Sequence, residues 1–183
     1  LAKVQSDMGI IPESAAQEII RQSRVENIDL AKLKAEMDRT SHPIVPLRRA
    51  MKQVCSGDAG EYIHWGATTQ DIMDTGTILQ VRDALDAIES SYRELYANPR
   101  ELARKYRDQV MVGRSHGQQA LPITFGFKAA GWTEELRRNF QRLRQMRERV
   151  LVGQFSGAVG TLAALGESGV EVQERLFKEL GLG

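Results

Sequence analysis

A single cysteine, Cys55, stands in a chain of 183 residues, so no intrachain disulfide can form. One lone thiol favours a reducing compartment. Neither sign of charge is in excess: 25 Lys and Arg face 24 Asp and Glu, for a formal charge of +1. That balance gives no support to a dedicated nucleic-acid or polybasic membrane protein. No stretch approaches the roughly 18 apolar residues that span a bilayer. No basic segment followed by an apolar one opens the chain, as a secretory signal would. The chain begins at Leu1 rather than at Met, and the expectation is a truncated N-terminus. What is present is 42% hydrophobic and 27% charged residues. Such a chain buries a sizeable core as one domain or as a piece of a larger one.

The pattern is helical. Ile78, Val81, Leu85, Ile88, Tyr92, Leu95, Leu102 and Tyr106 follow a 3-4 spacing, which predicts a helix over 75–107, roughly 50 Å long at 1.5 Å per residue. Asp74 or Thr75 is its expected cap. Pro99 interrupts the stripe without shifting its phase, so a kinked but continuous helix is expected. A second long helix fits 124–150 on Leu136, Phe140, Leu143, Met146 and Val150. The arginines on its other faces read as a solvated or subunit-facing surface, since aromatic interleaving is absent. Shorter helices are expected over 13–25 after Pro12, from the cap Asp29 through Met37, and from Pro46 through Val54. The last covers 170–180 and stops at Gly181. Only 109–112 could be extended, and 108–123 is expected to be an irregular connection. There is no internal repeat or low-complexity tract, and the class is all-α.

The three histidines sit in the three segments that interrupt these helices: Ser41-His42-Pro43, His64-Trp65-Gly66-Ala67-Thr68-Thr69-Gln70-Asp71, and Gly113-Arg114-Ser115-His116-Gly117-Gln118. Imidazoles titrate near neutrality and suit proton transfer, though a capping or structural hydrogen bond is the plainer use of any one of them. Ala67-Thr68-Thr69-Gln70-Asp71 precedes a helix and offers hydroxyls and free amides, which fit a carboxylate or phosphate, or simple N-capping. A metal site has little behind it: the histidines lack i,i+4 spacing, and no second cysteine joins them. The glycines from Gly153 to Gly169 lack the order of a dinucleotide fingerprint. Ser115 and Ser156 lack the setting of a nucleophile elbow.

Taken together, His64-Trp65-Gly66-Ala67-Thr68-Thr69-Gln70-Asp71, Gly113-Arg114-Ser115-His116-Gly117-Gln118 and Ser156-Gly157-Ala158-Val159-Gly160-Thr161 resemble the fumarase/aspartase superfamily. The match is closest to its adenylosuccinate lyase and 3-carboxy-cis,cis-muconate cycloisomerase members. It covers essentially the whole chain, but only the N-terminal half of such a protein.

That resemblance implies an all-α fold, with a small N-terminal helical domain over 1–66, incomplete at its start. Residues 67–183 would form the first part of an elongated long-helix bundle. It implies a cytoplasmic enzyme of purine biosynthesis that works without a cofactor or metal. The partners implied are a small dicarboxylate-type substrate and identical subunits in a homotetramer with shared sites, with no nucleic acid and no membrane. Ser115-His116-Gly117-Gln118 looks like the family motif T-H-x-Q, which makes His116 the expected general acid and Gln118 and Ser115 substrate-binding groups. His42 matches a second active-site histidine that binds and orients substrate. Thr68 and Thr69 match a pair that holds a substrate carboxylate, and His64 has a supporting role.

The implied activity is β-elimination that releases fumarate from an adenylosuccinate-like substrate. Cycloisomerisation of a carboxymuconate is the alternative: the segment from His64 to Asp71 looks most like that type, whereas His116 favours an amine leaving group. The family's Ser-Ser-x-Met-Pro loop, which carries the proposed base, is not among the 183 residues, and the chain by itself is expected to be inactive. A non-enzymatic helical assembly protein is the rival class, since fold does not fix function. An anion-binding module built on Thr68 and Thr69 is another. The three histidines in motif positions favour the enzyme.

Overall fold

The computed structural model describes all residues, 1–183. Its helices are α1 (Ala2–Asp7), α2 (Glu13–Gln22), α3 (Leu30–Thr40), α4 (Ile44–Val54) and α5 (Thr69–Lys105). Strands β1 (Val110–Ser115) and β2 (Gln118–Thr124) follow, then α6 (Phe125–Val150) and α7 (Gly169–Leu180). The chain forms two compact units, Leu1–Ile78 with Val152–Gly183, and Leu79–Leu151. The all-α class holds, with one two-stranded antiparallel sheet added to it. No helix is long and apolar enough to cross a membrane.

In the first unit, Val4, Phe155, Val172 and Leu176 are buried together, with Met8, Ile10, Leu162 and Leu165 packed around them. Ala15, Ile19 and Ala59 form a second cluster against Met51, Cys55 and Tyr62. Burying a side chain the size of Phe155 contributes about 1.5–3 kcal/mol. Asp29 caps α3 by accepting from the Lys32 amide at 3.0 Å. Gly181 ends α7 in the left-handed region, as its position predicts. Two shorter helices differ from expectation. The helix after Pro12 stops at Gln22, with a 3-10 turn at Val25–Asn27. The one expected to open at Pro46 starts at Ile44, because His42 Nδ1 accepts the Val45 amide and caps it earlier.

In the second unit, α5 and α6 lie side by side and antiparallel. Partner numbers fall along α6 as they rise along α5: Asp86 pairs with Arg147, Tyr92 stacks on Phe140, and Tyr106 meets Phe125 edge-on. The Tyr92 hydroxyl also donates to the Leu136 carbonyl at 3.0 Å. Helix α5 continues through Pro99, as the phase of its apolar stripe requires. The helix begins at Thr69, however, so Asp74 and Thr75 lie inside it and neither is the cap. Thr124 does cap α6, accepting from the Phe127 amide. Gly126 lets the start of α6 press on the end of α5 and the turn after it: a Cβ there would lie 2.7 Å from the Ala103 carbonyl oxygen and 2.5 Å from Arg107 Cα.

The connection expected to be irregular is the hairpin β1–β2, paired from Val110↔Thr124 to Ser115↔Gln118. His116 and Gly117 form its two-residue turn, both with positive φ, 52° and 75°. Two residues at positive φ match the right-handed twist of the flanking strands. The alternation that marks a strand is broken by Gly113 and Pro122 and by the shift in register between Val112 and Arg114, which is why the sequence read as a loop.

Candidate active site

The start of α5 organises the first unit's site. Thr68 precedes the first helical residue, and Asp71 lies three positions on. The Asp71 carboxylate reaches back to accept the Thr68 amide at 2.9 Å, the reciprocal half of a capping box. Its two oxygens also take the amides of Ser156 (3.0 Å) and Gly157 (3.0 Å). Asp71 is only 1% exposed. A carboxylate withdrawn from water in this way is tolerated because three N–H groups replace its hydration.

One turn further along α5, the buried Thr75 continues the seam. Its hydroxyl donates to the Gln154 carbonyl at 2.7 Å and accepts from the Gln154 amide at 2.9 Å. Between these contacts Phe155 enters the core, and its carbonyl accepts from Gln173 Nε2. The segment 154–157 is thus fastened to the first two turns of α5. The two glycine-containing loops then meet closely. A Cβ on Gly157 would lie 3.2 Å from the Gly66 carbonyl, and one on Gly66 would collide with Leu165 at 2.7 Å. Both glycines have positive φ, 73° at Gly66 and 77° at Gly157.

His42 reaches the same helix start. Its Nδ1 accepts the Val45 amide at 3.2 Å, and its Nε2 lies 3.4 Å from Thr69 Oγ1. His64, half-buried and at φ 70°, precedes Thr68 in the same loop. Burial pushes its imidazole below the usual range; the Arg48 charge adds to this and the Asp71 charge opposes it. The structure therefore gathers His42, His64, Thr68 and Thr69 at one helix start. That terminus carries a partial positive charge from aligned peptide dipoles, which favours an anion.

Ser115, His116 and Gln118 belong to the other unit, at the tip of the hairpin, where all three are exposed. No group of three or more His, Cys, Asp or Glu side chains comes together as metal ligands.

Two features of the site escaped the sequence. The Thr68 amide, read as free for a ligand, is taken by Asp71. Asp71 itself is not among the functional candidates the sequence offers. The T-x-x-D spacing of a capping box was the available signal, while its reach to Ser156 and Gly157, across 85 and 86 residues, has no local signature.

A model of the lyase family matches residues 1–183. The chain belongs to that family. This places it in the fumarase/aspartase superfamily, as its motifs predicted, and its relatives include adenylosuccinate lyases and carboxy-cis,cis-muconate cycloisomerases. The chain is 43% identical to N-acetyl-S-(2-succino)cysteine lyase of Dickeya dadantii, covering 100% of the chain and 40% of that protein. It is 44% identical to adenylosuccinate lyase of Methanothermobacter thermautotrophicus, again over 100% of the chain and 40% of that protein. Among solved structures, β-carboxy-cis,cis-muconate cycloisomerase from Acinetobacter calcoaceticus sp. ADP1 superposes with a TM-score of 0.94 at 39% identity. That superposition covers 100% of this chain and 43% of the other. The chain thus spans about two fifths of the length of the curated relatives it matches.

Proposed function

We propose that the full-length protein is a carbon–nitrogen lyase that releases fumarate from an adenylosuccinate-like substrate by β-elimination. The observation that carries this reading is the pair Thr68 and Thr69 at the start of α5, backed by His42 and fixed by Asp71. Hydroxyl groups at a helix N-terminus suit a substrate carboxylate. The names of two relatives, adenylosuccinate lyase and N-acetyl-S-(2-succino)cysteine lyase, share a succinyl group, which supplies such a carboxylate.

In the proposed reaction a base removes a proton from the carbon beside one carboxylate. The electron pair moves into that carboxylate as an aci-anion, and donors such as Thr68 and Thr69 stabilise the growing charge. The pair returns to form the carbon–carbon double bond as the carbon–nitrogen bond breaks. His116 donates a proton to the departing nitrogen, and fumarate leaves with the amine product. Acid catalysis of this kind contributes typically about 10²–10⁴-fold. Gln118 and Ser115, beside His116 on the hairpin, hold the substrate, and His64 supports the loop that carries Thr68. The proposed assembly is a homotetramer with sites shared between subunits, located in the cytoplasm.

Cycloisomerisation of a carboxymuconate is the second reading, favoured by the 0.94 TM-score to a cycloisomerase. Incubation of the full-length protein with adenylosuccinate and, separately, with a carboxymuconate distinguishes the two. Fumarate formed from adenylosuccinate supports elimination, and lactone formed only from the carboxymuconate replaces it.

A further inference from the structure

The direction of the hydrogen bonds around Thr69 follows from groups whose polarity is fixed. An amide N–H only donates. Because the Val45 amide donates to His42 Nδ1 at 3.2 Å, that nitrogen is bare, and the neutral ring carries its proton on Nε2. Nε2 is the nitrogen 3.4 Å from Thr69 Oγ1, so the imidazole donates and the hydroxyl accepts.

The hydroxyl proton of Thr69 then needs an acceptor of its own. Three helical threonines elsewhere in this chain donate to the carbonyl four residues back: Thr40 to Glu36, Thr77 to Met73 and Thr133 to Ala129, at 2.7, 2.8 and 2.9 Å, while Thr75 donates to the Gln154 carbonyl. Thr69 is the first residue of α5, and the residue four positions before it, Trp65, lies in the preceding turn. The Trp65 carbonyl accepts from Nε2 of the buried Gln5 at 2.9 Å, and no hydrogen bond joins it to the Thr69 hydroxyl, whose one side-chain contact is His42. The local arrangement thus gives the Thr69 proton no helical carbonyl to return to.

We propose that His42 is a positioning residue, locked by the Val45 amide as the Nε2–H tautomer, that commits the Thr69 hydroxyl to donate outward to an anionic oxygen of the substrate. The chain of donors runs from the start of α4 through the imidazole to the start of α5. Each link polarises the next, so the terminal hydroxyl is a stronger donor than an isolated threonine. His42 in this role exchanges no proton with the substrate. The inference rests on the carboxylate-holding role of Thr69 proposed above.

Two measurements on the full-length protein separate the inference from that role. Nitrogen NMR of histidine-labelled protein, with the His42 signal identified by its loss in His42→Asn, reads the tautomer without any ligand. A bare Nδ1 and a protonated Nε2 are expected; a proton on Nδ1 overturns the proposal. Fumarate binding is then compared in wild type, His42→Asn, Thr69→Val and the double variant. Asparagine is a good N-cap and can still accept the Val45 amide, but it is too short to reach Thr69. His42→Asn is therefore expected to retain the wild-type melting temperature within a few degrees while binding fumarate roughly 3–10-fold more weakly. In the Thr69→Val background the same substitution is expected to change binding less than two-fold. Equal losses in both backgrounds overturn the relay. If Thr69→Val leaves fumarate binding unchanged, both the carboxylate-holding role and the outward donation fall, whereas a wrong tautomer with a strong Thr69→Val effect removes only the relay.

Discussion

Asp71 and Ser156 are joined by a 3.0 Å hydrogen bond from the Ser156 amide to the Asp71 carboxylate, between residues 85 apart in the sequence. With the Gly157 and Thr68 amides on the same carboxylate, this contact ties two of the three motif loops to one helix turn. The two loops thus meet one physical requirement, since a single buried acid takes all three amides.

The Asp71→Asn variant tests that requirement. An asparagine keeps the shape but turns one acceptor oxygen into an NH₂ that faces an N–H. The expected loss is about 2 kcal/mol of stability, read from urea unfolding. Fumarate binding should weaken as well, because the Thr68 backbone is no longer fixed. Unchanged stability would show that the carboxylate is not what holds the loops.

Thr75→Val removes only the hydroxyl that takes both backbone groups of Gln154. Valine has the same shape, so packing is kept while an amide and a carbonyl lose their partner. A loss of about 1–3 kcal/mol is expected, with faster amide exchange at Gln154 as its local sign. Phe155→Ala, which empties the neighbouring core position, should cost more, about 3–5 kcal/mol.

The Glu18 carboxyl is held down to about 2 by the Ser56 amide first, and then by Arg21 and Gln22. A carboxyl whose folded value lies below its ordinary 4.5 favours the folded state fully above pH 4.5. That contribution fades as the pH falls towards 2. Acid titration of unfolding should therefore show a decline over this window that is shallower in Glu18→Gln. The Ser56 amide signal should shift over the same range. A variant with the wild-type slope would contradict the assignment.

Much of the fold was legible because helices announce themselves over many residues. The stripe from Ile78 to Tyr106 predicted the long helix and its passage through Pro99, and Thr124, Asp29 and Gly181 marked true ends. The hairpin was not legible, since β1 and β2 are short, broken by Gly113 and Pro122, and turned by His116-Gly117 rather than a common Asn-Gly pair. At the site, motif residues identified Thr68 and Thr69 as a pair at a helix start. The early start of α4 rests on a local cap at the Val45 amide by His42, a residue outside the usual N-cap set. The work of Asp71 on Ser156 and Gly157 and of Thr75 on Gln154 depends on side chains meeting distant backbone, which no local periodicity records.

The central claim is that the full-length protein eliminates fumarate with His116 as the acid. The most direct measurement is kcat and KM for fumarate release from adenylosuccinate in wild type and His116→Ala, followed by absorbance. The account predicts measurable turnover in wild type and a kcat about 10²–10⁴-fold lower in the variant, with KM little changed, because an acid acts mainly in the transition state. Wild-type kcat in His116→Ala, or turnover of a carboxymuconate and not of adenylosuccinate, would contradict it.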